Sequence, residues 1–272
     1  MEAHLKEMLA APPPRRESPS HYSPRPQPYH AFDNESGLWQ KQPAGSSTHA
    51  SPLAKDVDCQ RLRILTWNID CLIPYSVPRM RAALNHVHSL ISASPLLTVV
   101  LLQEMTFSDI QLIKASPWIR ERFFITDADH GNWASGLYGT TALVDKRLGG
   151  MQVFRVPWVS KFHRDGLFID LQVTADDSAG AEGSERKVFR LCNAHLESLV
   201  ADPPVRPGQM ADAAEYLHKA YAGLVAGDMN AIEPFDRTLP AENGLKDAYL
   251  ELGGIEGHPI EKRLGLGVFA TM

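Results

Sequence analysis

Thr66-Trp67-Asn68 opens a series of four short motifs, which continues with Gln103-Glu104, His195-Leu196-Glu197-Ser198 and Gly227-Asp228-Met229-Asn230. Each motif follows an apolar stretch that has the length and composition of a β-strand. Binding sites often form where the carboxyl ends of strands meet at one edge of a sheet. The polar side chains of the four motifs would therefore converge if their strands are neighbours.

The spacing of apolar residues predicts a mixed α/β domain that begins near residue 60. A continuous apolar run before Glu104 is typical of a strand buried on both faces. The predicted strands cover residues 62–67, 96–102, 140–144, 167–173, 189–194 and 224–226. The predicted helices cover residues 78–91, 107–113 and 210–221, and residues 176–185 are expected to form an exposed connection.

The first 58 residues differ in composition from the remainder and are predicted to be a disordered tail. They are rich in proline, serine and histidine, and such a segment buries too little apolar area to offset its chain entropy. A mitochondrial presequence fits less well because Glu2, Glu7 and Glu17 interrupt the acid-poor pattern. The predicted division is thus a tail over 1–58, a domain over 59–258 and a divergent end over 259–272.

Composition restricts the possible classes of protein. The chain has 272 residues, a net charge of -5 and three cysteines. A net acidic chain is not typical of a non-specific nucleic-acid coat, although an enzyme with a local basic groove stays possible. The odd number of cysteines without a Cys-x-x-Cys pair disfavours a disulfide framework or a zinc site and favours a reducing compartment. No apolar run reaches the roughly 18 residues of a membrane span, and no secretory signal is visible.

Each polar residue also has an ordinary structural interpretation. Asn68 could form a turn, Glu104 could cap the next helix, and His195 could be a hydrogen-bonded core histidine. Asp228 and Asn230 could belong to a simple turn. A plain structural α/β domain gives no reason for polar residues at four strand ends, so a functional site is the better hypothesis. Carboxylates and amides are ligands that suit Mg²⁺, which keeps several waters.

The motifs together resemble the endonuclease/exonuclease/phosphatase superfamily, and most closely its 5′-tyrosyl-DNA phosphodiesterases. The resemblance extends over roughly residues 60–258. Beyond the four motifs it includes Arg206 and Gln209, and the segment 244–249. One departure is Cys71, where the animal enzymes have glycine. The resemblance implies a four-layer α/β/β/α sandwich.

The resemblance also implies chemical roles. Glu104 would be the main ligand of Mg²⁺, with Mn²⁺ as a substitute, and Asn68 would lie nearby. Asp228 would orient and deprotonate the attacking water, while Asn230 and His195 would bind phosphate oxygens. Residues expected to support the site or bind substrate are Ser198, Arg206 and Arg164, the last lining a DNA groove. The implied substrate is DNA with 5′-phosphotyrosyl ends, and the implied role is DNA repair in the nucleus, with the cytoplasm as a further location.

The resemblance stops after Gly257-His258. The family would continue with a Thr-Trp element, a strand carrying Arg-x-Asp and a final Ser-Asp-His motif, none of which appears in residues 259–272. We therefore expect the last strands of the sandwich to be missing, with an exposed sheet edge and weak or no activity. The alternative function is a non-catalytic, truncated DNA-binding protein, which would bind DNA without turnover.

Overall fold

The structure is a computed structural model that describes residues 19–43, 61–93, 95–174, 186–255 and 266–270, and the single positions 6, 10, 12 and 14. Its strands in chain order are β1 (Arg25–Gln27), β2 (Tyr29–Asp33), β3 (Leu38–Gln42), β4 (Leu62–Asn68), β5 (Leu97–Thr106), β6 (Phe123–Ile125), β7 (Tyr138–Asp145), β8 (Met151–Pro157), β9 (Asp165–Thr174), β10 (Arg186–His195), β11 (Ala222–Asp228), β12 (Lys246–Asp247) and β13 (Leu266–Ala270). Its α-helices are α1 (Ser76–Ser92), α2 (Phe107–Ala115), α3 (Pro117–Arg122), α4 (Arg206–Leu217), α5 (Leu239–Glu242) and α6 (Ala248–Glu251).

The strands form two sheets. Sheet A has the order β1-β8-β9-β10-β11-β13-β12, and sheet B has the order β3-β2-β6-β7-β5-β4. Each sheet contains one parallel pair, β10 with β11 in sheet A and β4 with β5 in sheet B. A parallel pair needs a crossover connection, and α4 and α1 lie in these two connections.

Apolar side chains fill three separate layers of the domain. Between the sheets, β5 contributes Val99 and Leu101, which pack in one cluster with residues of β9 and β10. Helices α1 to α3 pack on the outer face of sheet B, for example through the fully buried Met80 and Ile110. Helix α4 packs on the outer face of sheet A through residues such as Leu217. The predicted four-layer α/β/β/α sandwich is confirmed.

The predicted strands and helices all occur, with differences at their ends. The largest difference is in α4, which begins at Arg206 and ends at Leu217 instead of covering residues 210–221. Its first turn contains Arg206 and Gln209, which are buried although they are polar, so apolar spacing did not reveal this turn. The cap of α2 is a capping box formed by Thr106 and Asp109, and Glu104 is not needed for it. Within the described residues, no helix combines the length and the apolar character that a membrane crossing requires.

The prediction of a disordered tail is wrong for the part of it that forms β1, β2 and β3. Strand β1 pairs with β8 at the edge of sheet A, and β2 pairs with β6 in sheet B. Tyr29 is fully buried and packs edge-on against Phe124, and the Gln27 side chain donates to the carbonyl of Thr126. These partners are about a hundred residues away, so local composition could not reveal them. Most of residues 1–18 and all of residues 44–60 lie outside the described residues.

The expectation of exposed sheet edges does not hold at β11, although β4 is still the last strand of sheet B. Strand β13 pairs antiparallel with β11 on one side and with β12 on the other. Part of the divergent end, residues 266–270, therefore covers the edge of β11 by backbone pairing, which depends little on side-chain identity. The rest of that end, residues 259–265 and 271–272, lies outside the described residues, as does the predicted connection over 176–185.

Candidate active site

The two parallel strand pairs place their polar residues at the same end of the sandwich. In sheet B, Asn68 at the end of β4 is in register with Gln103 of β5. In sheet A, His195 at the end of β10 is in register with Asp228 at the end of β11. The sheets meet here through a hydrogen bond of 2.8 Å from Asn68 Nδ2 to Asp228 Oδ2. The predicted convergence of strand ends is confirmed, and the chemical roles stay predictions.

Glu104 reaches the site because β5 is irregular at this point. The register between β5 and β7 shifts between Leu102 and Met105, which marks a β-bulge, and Glu104 has a φ of 55°. A non-glycine residue with this left-handed backbone conformation costs about 1–3 kcal/mol of stability, and such residues cluster at functional sites. Glu104 Oε2 accepts a hydrogen bond of 3.0 Å from the backbone N–H of Cys71. The bulge thus directs the carboxylate toward the site, and Cys71 fixes its orientation.

The turn that carries Asp228 and Asn230 depends on Gly227. A Cβ atom at Gly227 would lie 1.8 Å from the carbonyl oxygen of Ala194, so β10 can approach this closely only because the residue is glycine. Asp228 Oδ1 accepts from the backbone N–H of Asn230 at 3.0 Å, and the Asn230 amide donates to the carbonyl of Leu196 at 2.9 Å. Asn230 therefore ties the Asp228 turn to the segment after β10.

His195 lies between the two carboxylates and is almost fully buried. Its Nε2 is 3.7 Å from Glu104 Oε1 and 3.7 Å from Asp228 Oδ2. Its Nδ1 is hydrogen-bonded to the guanidinium of Arg164. Burial lowers the pKa of His195 well below its usual value, and the positive charge of Arg164 lowers it further. The imidazole is therefore held neutral at the centre of the site.

A comparison of the sequence with family models finds one whose description is the Endonuclease/Exonuclease/phosphatase family, and it matches residues 65–268. This range contains all four motifs and most of the chain. The chain belongs to the endonuclease/exonuclease/phosphatase family. Members of this family are hydrolases of the nuclease and phosphatase type and are generally dependent on a divalent metal ion.

Several solved structures share the fold of this chain. A humanized D. rerio TDP2 with 14 mutations is 19% identical, with a TM-score of 0.52 over 77% of this chain and 82% of that chain. D. rerio TDP2 complexed with a single-strand DNA product is 18% identical, with a TM-score of 0.54 over 77% and 83%. The human Nocturnin catalytic domain with bound sulfate is 14% identical, with a TM-score of 0.54 over 77% and 81%. At these identities the likeness shows the fold alone. Among curated protein sequences no match was found.

The donor set of this endonuclease/exonuclease/phosphatase site fits a hard divalent cation. Glu104 Oε1 and Asp228 Oδ2 each lie 3.7 Å from His195 Nε2, and oxygen is the ligand atom that Mg²⁺ prefers. Glu104 Oε2 is engaged by Cys71, whereas Glu104 Oε1 faces His195 across 3.7 Å and can accept a cation. Among the described residues, no group of three or more histidine, cysteine, aspartate and glutamate side chains is arranged to bind a metal. The Asn68 amide nitrogen donates to Asp228 Oδ2, and the Asn68 amide oxygen accepts from the backbone N–H of Asp70.

The structure places Arg164 differently from the predicted groove lining. Its side chain is buried behind His195, where Nη2 donates to Ser198 Oγ at 3.0 Å. The guanidinium also lies over the rings of Tyr138 and Phe162, at 5.2 Å and 5.5 Å from the centroids. Arg164 is therefore largely buried, lines a small pocket beside His195 and has no hydrogen-bond partner at Nε among the described residues, so its role toward DNA stays a prediction. Ser198 lies beside the site through this contact, and its supporting role stays a prediction.

Arg206 is likewise a buried residue that shapes the segment after His195. Its guanidinium forms a two-pronged ion pair with Asp236, at 2.8 Å and 2.7 Å. The same side chain donates to the carbonyl oxygens of Glu197 and Leu199, at 3.2 Å and 2.8 Å. Arg206 thus fixes the backbone that follows His195, which is a supporting role and not contact with an open substrate surface.

Sequence reasoning missed several residues that build the site. Glu197 was quoted in its motif without a role, yet its buried carboxylate accepts from Ser160 Oγ at 2.5 Å and from the N–H of Lys161 at 2.8 Å. Arg79 donates to carbonyls of the loop after β4, including those of Asp70 and Ile73 at 3.0 Å each. A charged residue inside a buried motif was the available signal for Glu197, whereas Arg79 resembles any surface residue of a helix.

Proposed function

We propose that this chain is a divalent-metal-dependent phosphodiesterase that removes tyrosyl groups linked to the 5′ ends of DNA. The observation that carries the proposal is the contact between the two sheets at Asn68 and Asp228, beside which His195 faces both Glu104 and Asp228. Hydrolysis of a phosphodiester needs charge neutralisation, an oriented water and donors for phosphate oxygens. Each requirement has a candidate group at this one place.

Asp228 is the residue we assign to orient and deprotonate water. Its two oxygens accept hydrogen bonds from the Asn68 amide and from the backbone of Asn230, which fixes the plane of the carboxylate. General-base catalysis by such a group contributes roughly 10²–10⁴ in rate. His195 Nε2 and the Asn230 amide are the donors that we assign to phosphate oxygens. The hydrogen bonds from Asn68 and Asn230 thus orient the Asp228 carboxylate so that its other lone pairs face the site.

Glu104 is the residue we assign to the metal ion, which we propose is Mg²⁺ or Mn²⁺. When bound, such an ion supplies Lewis-acid stabilisation of negative charge on phosphate. The left-handed backbone at Glu104 supports the assignment, because strain of about 1–3 kcal/mol is retained where a side chain must point in one direction. Asn68 is the second residue that we assign to this part of the site.

The substrate class rests on sequence resemblance and fold. The segment from Leu191 to Ser198 and the following Arg206 and Gln209 resemble those of tyrosyl-DNA phosphodiesterases. A solved structure of the same fold is TDP2, tyrosyl-DNA phosphodiesterase 2, in complex with a single-strand DNA product. We include DNA repair and a nuclear location in the proposal, with the cytoplasm as a further location, because the resemblance to tyrosyl-DNA phosphodiesterases implies them.

The test is release of tyrosine from a 5′-phosphotyrosyl oligonucleotide by purified residues 1–272 in Mg²⁺ or Mn²⁺. We expect weak but metal-dependent release, since the final Ser-Asp-His motif does not appear in residues 259–272, and we expect Asp228→Asn to lower it by at least about 10²-fold. The matched control is Glu215→Gln, which also changes a carboxylate to an amide but on the exposed side of α4, in a surface pair with Lys219. The control should retain full activity.

Parallel substrates decide the finer part of the proposal. An oligo(A) RNA, an abasic oligonucleotide and an inositol phosphate represent the other substrate classes of the superfamily. Faster turnover of one of these would contradict the tyrosyl-DNA assignment and leave the phosphodiesterase assignment standing. DNA binding by the folded protein without turnover of any substrate would instead support the non-catalytic alternative.

A further inference from the structure

The buried guanidinium of Arg164 makes a contact that restricts where His195 can carry its proton. Nη1 of Arg164 lies at hydrogen-bond distance from His195 Nδ1, and Nη2 donates to Ser198 Oγ at 3.0 Å. A guanidinium has five N–H donors and no acceptor, and it stays protonated in proteins. His195 Nδ1 must therefore be the acceptor in this contact, so it cannot carry a hydrogen atom.

We propose that Arg164 is a positioning residue that holds the His195 ring in the tautomer with hydrogen on Nε2, because its guanidinium donates to Nδ1. The ring nitrogen that carries the proton is set by the hydrogen bond of the other nitrogen. In this site the Nε2–H group points toward Glu104 Oε1 and Asp228 Oδ2, each 3.7 Å away. These carboxylates can accept from Nε2–H, and Arg164 requires Nδ1 to be the acceptor.

The position of Arg164 is itself fixed by the motif that contains His195. The backbone N–H of Arg164 donates to Ser160 Oγ at 3.0 Å, and Ser160 Oγ donates to Glu197 Oε2 at 2.5 Å. The guanidinium is enclosed by aromatic rings, since Tyr138 lies on it and donates its hydroxyl to the carbonyl of Phe162 at 3.0 Å. Glu197 thus anchors the loop that places Arg164 against His195. His195 itself lies two residues before Glu197 in the chain.

This arrangement assigns a limited role to His195, and this consequence rests on the proposed function. A neutral imidazole with hydrogen on Nε2 donates a hydrogen bond to a phosphate oxygen but cannot take a proton from water at that nitrogen. Deprotonation of the attacking water then belongs to Asp228.

The first test reads the tautomer directly and needs neither metal nor substrate. Protein labelled with ¹⁵N in histidine and arginine is examined by long-range ¹H–¹⁵N correlation near neutral pH, with His195→Gln used to assign the resonances. We expect a pyridine-type Nδ1 that couples through the hydrogen bond to Arg164, and a pyrrole-type Nε2. A proton on Nδ1 in the unmodified protein would overturn the proposal, whatever the variants do.

Variants then separate the role of Arg164 from general stability. In Arg164→Leu we expect the single Nε2–H pattern to be lost, and in Arg164→Lys, which keeps a charged donor, we expect it to persist. The control Arg63→Leu removes an arginine whose side chain donates to the carbonyl of Leu90, far along the strand from the site. It should leave the His195 signals unchanged. Retention of the wild-type pattern in Arg164→Leu would contradict the proposal.

Kinetics provide a second readout if the chain turns over the proposed substrate. A wrongly oriented donor loses transition-state stabilisation, so kcat should fall by on the order of 10²-fold in Arg164→Leu while KM changes little. Arg164→Lys should recover part of kcat. If the chain has no activity, the proposed function fails, whereas the tautomer measurement still decides the role of Arg164.

Discussion

The side chains of Gln103 and Asn193 join the two sheets next to the candidate active site, and we predict that they are strongly coupled in stability. Gln103 Nε2 donates to Asn193 Oδ1 at 2.7 Å and to Thr66 Oγ1 at 3.0 Å. Asn193 Nδ2 donates to the carbonyl oxygens of Leu102 and Thr141, at 3.1 Å each. Both side chains are fully buried, so water cannot replace these bonds.

The size of the effect follows from the bonds that each change removes. Asn193→Leu removes three hydrogen bonds at about 1 kcal/mol each and leaves a buried N–H of Gln103 unpaired at about 1–3 kcal/mol, for a total of about 4–6 kcal/mol. Gln103→Leu removes two bonds and leaves Asn193 Oδ1 unpaired. The same change removes the buried Gln103 Oε1, which has no hydrogen-bond partner among the described residues, and this relief offsets the unpaired Asn193 Oδ1. The net loss of stability in Gln103→Leu should therefore be only about 2 kcal/mol.

The double variant should cost less than the sum of the single variants. With both side chains apolar, neither leaves an unpaired partner side chain, so we expect a coupling of about 2–3 kcal/mol in a double-mutant cycle. The assay is urea unfolding followed by tryptophan fluorescence and circular dichroism. Thr66→Val, which removes one bond and should cost about 1 kcal/mol, provides a mild member of the series. Additivity within about 0.5 kcal/mol, or an Asn193→Leu protein as stable as wild type, would refute the reasoning.

Three further predictions concern single residues. Gly227→Ala should destabilise the protein by about 3 kcal/mol or more in urea unfolding, because the added Cβ would lie 1.8 Å from the Ala194 carbonyl; a loss below about 1 kcal/mol would show that the strands can separate freely. Burial lowers the pKa of His30 below its ordinary value of 6.5. As the pH falls, His30 is therefore protonated in the unfolded chain before it is protonated in the folded one. Neutral His30 costs no stability above about pH 6.5, and the folded state loses stability as the pH falls below that value. The free energy of unfolding should therefore drop more steeply below about pH 6.5 in the wild type than in His30→Gln, by up to about 1.4 kcal/mol per pH unit, and equal slopes would contradict this account. Burial, assisted by the Glu104 carboxylate, raises the pKa of Cys71 to about 12. Alkylation of Cys71 near neutral pH should therefore be on the order of 10³-fold slower than for a cysteine peptide, and it should be faster in Glu104→Gln. A peptide-like rate, measured by peptide mass spectrometry, would contradict the contact between Cys71 and Glu104.

Local sequence patterns were sufficient for the parts of the fold that depend on neighbours along the chain. Apolar runs with polar ends located β5, β10 and β11, and an alternating β-prone stretch located β4. The structure then shows Asn68 in register with Gln103 and His195 in register with Asp228. These inferences succeeded because a strand buried on both faces needs a continuous apolar run, and its polar end has to lie at the sheet edge.

Features that depend on distant partners could not be found in this way. The backbone bulge that turns Glu104 toward the site is one shift of register between β5 and β7, and the sequence carries no mark of it. Gln27 lies in a proline-rich stretch that reads as disordered, yet its amide accepts from the buried Arg155 at 2.9 Å. Arg164 appeared to be a surface residue because its partner His195 follows 31 positions later. In each case the partner, and not the local pattern, determines the position.

We propose that side chains from both sheets form one metal-dependent hydrolytic site. The most direct test of this proposal is single-turnover release of tyrosine from a 5′-phosphotyrosyl oligonucleotide by wild type, by Glu104→Gln from sheet B and by Asp228→Asn from sheet A, each in Mg²⁺ and in EDTA. The account predicts release by the wild type in Mg²⁺ alone, with a loss of at least about 10²-fold in both variants. Release that persists in EDTA, or that survives either substitution, would contradict it.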